Sequence, residues 1–161
     1  MPKTPIKAIV VSVSDTRREE DDLSGATLIG LLLAMDAEVV EKMIVSDDLT
    51  DLRNILYTLS EREDVNLILT TGGTGLSERD NTPEATRSVI EREAPGMAEA
   101  MRRETYKKTD RAMLSRGVCG IRGQTLIINL PGSPNGVKEC FEVINPVIQH
   151  AIDQISGSNS H

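Results

Sequence analysis

Aromatic side chains are almost missing from this 161-residue sequence: Trp is absent, and Tyr57, Tyr106 and Phe141 are the whole complement. Proteins that stack on unpaired bases need aromatic platforms, so a planar ligand here must be held by backbone and small polar groups. Basic charge is in deficit too. With 25 acidic against 18 basic residues the net charge is -7, the wrong sign for neutralising a row of phosphates, and nucleic acid is excluded as a partner. Cys119 and Cys140 are the only cysteines, and His150 and His161 the only histidines. No spacing among them matches a zinc site or a thiol–histidine pair, so reduced core thiols are expected. No apolar stretch reaches the roughly 18 residues of a membrane span, and MPKTPIK lacks a signal peptide's apolar region. A soluble, cytoplasmic protein without membrane contact is expected.

What is present is an alternation of strand and helix signals. Ile6 to Ser14 is an apolar, β-branched run and reads as a central strand. DTRREEDDLSG follows as a polar loop, then a helical run from Ala26 to Met35, a strand from Glu38 to Val45 and a helix from Leu49 to Arg62. Asn66 to Thr70 reads as a third buried strand, and helices are expected over Pro83 to Arg92 and Met97 to Lys107. Gly117 to Arg122 and Gln124 to Asn129, split by Gly123, predict an antiparallel pair added to the sheet, before a last helix capped by Ser133 and opened by Pro134. Such alternation implies a single three-layer α/β domain, its mostly parallel sheet covered by helices on both faces. The tail SGSNSH, 156–161, is expected to fray.

The third strand runs into Gly72, Gly73, Thr74 and Gly75. Glycines there allow positive φ and close approach of a ligand to consecutive N–H groups, which form an anion-binding concavity. A helix with Thr82 as N-cap, Pro83 at its first position and Glu84 in its first turn would aim its positive end at the same place. The stretch from Thr70 to Thr82 is longer than a connector needs and carries Glu78, Arg79 and Asp80, which favours a binding loop. A second such bend, Leu130-Pro131-Gly132-Ser133, also ends a strand, and in a parallel sheet the two bends converge beyond one edge. Ser14 and Asp15 leave the first strand at that edge; a plain turn explains them equally well. Spacing alone leaves the aspartates open between chemistry and helix capping: Asp80 before the third helix, Asp47 and its neighbour Asp48 before the second. Arg102, Arg103, Lys107, Lys108, Arg111 and Arg116 form a basic concentration that a solvated helix face largely accounts for. Met97 and Met101 read as core or subunit-interface filler. Neither a Walker loop nor a GxGxxG after the first strand is present.

TTGGTGLSERDNTPEAT, with LIINLPGSP, the opening VSVSDTRREEDDLSG and the IVSDD segment, resembles the MoaB/MogA family of molybdenum cofactor biosynthesis proteins and also the gephyrin G domain. The likeness covers roughly residues 6–155, so a single domain over 1–155 in that family's fold is expected. It implies molybdopterin adenylylation: the terminal phosphate of molybdopterin attacks the α-phosphorus of ATP, with Mg²⁺ assistance, releasing pyrophosphate. The resemblance makes Asp80 and Asp47 the catalytic pair and the Mg²⁺ ligands. Ser14, Asp15, Gly72, Gly73, Thr74, Gly75, Thr82, Glu84, Ser115, Arg116, Pro131, Gly132 and Ser133 become the substrate- and nucleotide-binding set, with Arg116 in an LSR motif a contact for a substrate phosphate. It further implies a homo-oligomer, trimer or hexamer, handing its product to the metal-insertion protein of the same pathway. Some MoaB proteins replace the arginine and threonine of the RD-x-TPEA region. Arg79-Asp80 and Thr82-Pro83-Glu84-Ala85 are kept here, which reads as an active enzyme although EEDDLSG is nearer the MoaB branch. The alternatives are a non-catalytic molybdopterin-binding protein, a CinA-like nucleotide pyrophosphate hydrolase, and a scaffold.

Overall fold

The computed structural model describes residues 2–158. Its strands are β1 (Lys7–Val13), β2 (Glu38–Val45), β3 (Leu67–Thr71), β4 (Arg92–Glu93), β5 (Cys119–Arg122) and β6 (Thr125–Leu130). The helices are α1 (Leu23–Ala34), α2 (Leu49–Ser60), α3 (Thr82–Val89), α4 (Pro95–Tyr106) and α5 (Pro134–Ser156). The strands form one sheet in the order β2-β1-β3-β6-β5-β4. β2, β1, β3 and β6 run parallel; β5 pairs antiparallel with β6, and β4 antiparallel with β5.

Side chains alternate across the sheet, so each central strand feeds two cores. From β1, Ala8 and Val10 join Leu69, Ile128, Leu28 of α1 and Phe141 and Ile144 of α5 on one face. Ile9, Val11 and Val13 join Ile68, Ile127, Leu52 and Leu56 of α2 and Val89 of α3 on the other. Burial on both faces is why these strands read as continuous apolar runs. Met101 belongs to the first core and Met97 packs against it. Both cysteines are free and buried; burial pushes Cys119 up to about 12 and Cys140 up to about 11, so neither is a nucleophile at neutral pH.

Several boundaries differ from the sequence reading. α1 begins at Leu23, not Ala26, because Asp22 is its N-cap and accepts from the Gly25 amide at 3.1 Å. The preceding polar stretch contains a 3₁₀ turn over Glu19–Asp21. α3 stops at Val89 because Ile90 turns extended and Arg92–Glu93 pair with β5. The antiparallel pair is divided in role: β6 lies parallel beside β3, and β5 turns back on it through Gly123 at φ +56°. The expected tail is helical to Ser156, and Ser158 bonds back to Asp153, its amide to the carbonyl at 3.1 Å; residues 159–161 lie outside the described residues.

The sheet order reverses between β1 and β3, so their carboxyl ends open a crevice that no crossover helix fills. No helix among the described residues is long and apolar enough to cross a membrane.

Candidate active site

The two glycine bends meet. The Gly72 amide donates to the Leu130 carbonyl at 3.1 Å, and Thr71 Oγ1 donates to the Pro131 carbonyl at 2.7 Å. Gly132 lies so close to the first bend that a Cβ on it would stand 3.4 Å from the Gly72 Cα. Gly72 and Gly73 have φ of +99° and +69°, values only glycine takes readily. Among the described residues, the amides of Gly73, Thr74 and Gly75 have no acceptor within the protein. Ser133 caps α5, its Oγ accepting from the Gly136 amide at 3.0 Å, with Pro134 at the first helical position.

Thr82 is the first residue of α3 and not its cap; Asn81 takes the cap position without a side-chain cap bond. The Asn81 side-chain amide reaches instead across the crevice to the Asp47 carbonyl at 3.1 Å. Thr82 is buried, its hydroxyl donating to the Gly72 carbonyl at 2.9 Å and its amide to Gly73 at 3.1 Å. A Thr82 side chain pinned in this way holds α3 against the first bend, which is why a hydroxyl suited to capping serves elsewhere.

The loops after β1 and β2 are stitched by a reciprocal pair. The Asp15 amide donates to Asp47 Oδ2 at 3.1 Å, and Asp15 Oδ1 accepts from the Asp47 amide and the Ser46 hydroxyl, both at 3.0 Å. Asp15 also pairs with Arg79. It therefore spans two loops; the hydroxyl of Ser14, by contrast, makes a local turn with the amides of Thr16 and Arg17. Asp48, not Asp47, caps α2, accepting from the Asp51 amide at 3.0 Å. Asp80 Oδ2 accepts from the Ser77 amide at 3.0 Å and stands 2.8 Å from where a Gly75 Cβ would be. Burial, with the repulsion of Asp80 added, pushes the Asp47 carboxyl above its ordinary range. The cost of this proximity falls on Asp47, a liability to which Asp80 adds.

That liability is what a divalent cation relieves. Mg²⁺ is held by one or two carboxylates together with substrate phosphates and waters, not by an all-protein cage. The donor set fits: the Asp47 and Asp80 carboxylates each keep one oxygen without a hydrogen bond among the described residues, and no group of three or more metal-ligating side chains occurs there.

Two hollows flank the bends. A cavity of about 260 Å³ lies between α4 and the start of α5, lined among others by Met101, Arg102, Ser115, Pro131 and Ser133. A more open one of about 210 Å³ is bounded by Ser46, Asp47, Asp48, Glu78, Arg79 and Asn81. The Arg116 guanidinium pairs with Glu84 and donates to the Gly75 and Asp80 carbonyls. Sequence reasoning missed Asn129, which is buried and bonds the Thr70 and Thr86 hydroxyls at 3.0 and 2.9 Å, locking α3 to β3. Its signal was a lone amide in the otherwise apolar run TLIINL. It also missed the set behind Ser14 in which half-buried Arg17 and Lys42 and buried Ser12 gather on buried Asp22.

An open α/β sheet with free amides at two apposed bends and a carboxylate pair beside them defines a binder of phosphorylated ligands. A family profile described as "Probable molybdopterin binding domain" matches residues 9–150, and the chain belongs to that family. The molybdopterin adenylyltransferase of Helicobacter pylori is 38% identical over 153 residues, which are 92% of this chain and 87% of that protein. The molybdenum cofactor synthesis protein cinnamon of Drosophila melanogaster is 44% identical over 149 residues, 91% of this chain, and the match spans only 25% of that longer protein. Among solved structures, the molybdopterin biosynthesis enzyme MoaB of Thermus thermophilus superposes with a TM-score of 0.87 at 42% identity, covering 94% of this chain and 97% of its own.

Proposed function

We propose that the protein is a molybdopterin adenylyltransferase acting in molybdenum cofactor biosynthesis. An oxygen of the molybdopterin terminal phosphate forms a bond to the α-phosphorus of ATP as the bond to the pyrophosphate oxygen breaks, so no proton need move at the reacting centre. The barrier is the approach of two polyanions, and it is lowered by position and charge rather than by a protein nucleophile. The observation that carries this reading is the acceptor-free run of amides at Gly73, Thr74 and Gly75, at the head of the loop that brings Asp80 back beside Gly75.

In this reading the amides, with those of Gly132 and Ser133, orient phosphate oxygens where the substrates meet, and the Thr82 hydroxyl keeps α3 and the bend in register. Asp47 and Asp80 hold Mg²⁺, which supplies neutralisation of phosphate charge when bound. Assembly as a trimer or hexamer, a cytoplasmic setting and transfer of the product to a metal-insertion protein complete the proposal.

The test is direct: purified protein, Mg-ATP and molybdopterin are mixed and the products separated. Adenylyl-molybdopterin and equimolar pyrophosphate are expected. Molybdopterin binding without either product would make the protein a carrier, and AMP released from ADP-ribose in the absence of pterin would make it a hydrolase.

A further inference from the structure

Arg116 has no donor to spare on the loop side of its guanidinium. Its backbone amide donates to the Thr74 carbonyl at 2.9 Å. Nε donates to the Gly75 carbonyl and Nη2 to the Asp80 carbonyl, each at 2.8 Å. Nη1 meets both Glu84 oxygens, at 2.8 and 3.0 Å. One side chain thereby closes the neck of the 75–80 loop and ties it to the first turn of α3. Arg116 is itself held from behind, because Arg102 Nη1 donates to the carbonyls of its two neighbours, Ser115 at 3.3 Å and Gly117 at 3.0 Å.

The loop has little else to fix it. Leu76, Ser77, Glu78 and Arg79 are exposed, and the other ties are turn bonds between Ser77 and Asp80, a bond from the Arg79 amide to Ser77 and the Arg79–Asp15 ion pair. A guanidinium presents Nε–H and one Nη–H side by side along a rigid edge, which two convergent carbonyls can share; a lysine ammonium cannot reproduce that fork. The carbonyl held at Asp80 is separated from its carboxylate only by Cα and Cβ. Release of the neck therefore moves the carboxylate.

We infer that Arg116 is a positioning residue, which sets Asp80 by clamping the 75–80 loop and does not itself hold substrate. This inference rests on the proposed adenylylation. A displacement of about 1 Å in a catalytic group is enough to lower a rate roughly 100-fold, so that is the expected size of the effect on kcat.

The experiment compares wild type with R116K and E84Q. Hydrogen exchange of residues 76–80, measured without substrate, should quicken in R116K while exchange in β3 and β6 stays unchanged. In the same variant kcat should fall about 100-fold and the Mg²⁺ concentration for half-maximal rate should rise, with the molybdopterin Kd within about twofold of wild type. E84Q, which keeps both carbonyl bonds of Arg116, should show a smaller change in the same direction. The inference is overturned if loop exchange in R116K matches wild type, or if molybdopterin affinity falls as much as turnover does, which would make Arg116 a substrate contact. A wild-type protein that makes no adenylyl-molybdopterin would defeat the proposed function instead; the exchange measurement decides the clamp independently of it.

Discussion

Two acidic clusters sit at the same edge of the sheet and are treated in opposite ways. Behind β1, Asp22 is buried and fully matched: Lys42 Nζ lies 2.8 Å from Oδ2, the Ser12 hydroxyl donates to the same oxygen at 2.5 Å, and Arg17 approaches Oδ1 at 3.4 Å. Burial acts to raise the Asp22 carboxyl, but the bonds from Lys42, Ser12 and the Gly25 amide outweigh it and hold the group below its ordinary range. Past the end of β2, Asp47 is raised by burial and by Asp80, with no cation bonded to it among the described residues. The first cluster spends its charge inside the fold. The second leaves Asp47 beside Asp80, and in the proposed function a ligand cation supplies the balance.

The contrast breaks most sharply at Lys42. The K42M variant takes the nearest cation from a buried carboxylate that keeps Arg17 and Ser12, and loss of one partner of a buried pair removes at most about 3–5 kcal/mol, to be read from denaturant midpoints at pH 7. The Asp22 contribution is present above its ordinary value of 3.8 and lost as pH falls through the lower folded value. Lys42, raised by Asp22 and Glu19 against its burial, contributes below its ordinary 10.5 and loses that as pH rises through the higher folded value. The difference between wild type and K42M should therefore stay level between those limits and narrow outside them.

Asp80→Asn tests the other cluster. Turnover should drop roughly 100-fold, a loss of about 2.7 kcal/mol of charge stabilisation, with molybdopterin binding retained. Unchanged turnover would remove Asp80 from the chemistry. Gly72→Ala bears on the bend that lies between the clusters: φ is +99° and the new Cβ would lie 2.7 Å from the Val13 carbonyl oxygen. A loss of about 1–3 kcal/mol in thermal unfolding is expected. The smallest effect, and the one that sharpens the comparison, is Asp47→Asn. Because the folded carboxyl is raised, its ionised form weakens the native state at neutral pH, so the variant should be slightly more stable at pH 7, the effect being reduced by solvent screening. That gain should fade as pH falls through the raised value, while adenylylation declines at every pH.

How far the sequence disclosed all this depends on whether the signal was local. The bend at Gly72 and Gly73 and the start of α5 at Ser133-Pro134 were legible because each is written in adjacent residues. The start of α1 was hidden because Asp22 looks like its neighbours in EEDD, and only Lys42, from β2, singles it out. Thr82 was misplaced by one position because the competing partner for its hydroxyl, Gly72, lies ten residues back along a folded bend. β4 has no periodicity of its own and exists through its pairing with β5. The tasks of Arg116 and Asn129 are likewise set by partners far along the chain.

The start of the described chain and the end of α5 are fastened to each other. The Thr4 amide donates to Asp153 Oδ1 at 2.8 Å, and Gln149 Nε2 donates to the Thr4 carbonyl at 2.9 Å. That knot lies before β1, on the rim of the sheet remote from the glycine bends. A larger polypeptide can thus enter and leave this unit through a single corner, like a bead on a looped thread, and additions there should leave the distant crevice undisturbed.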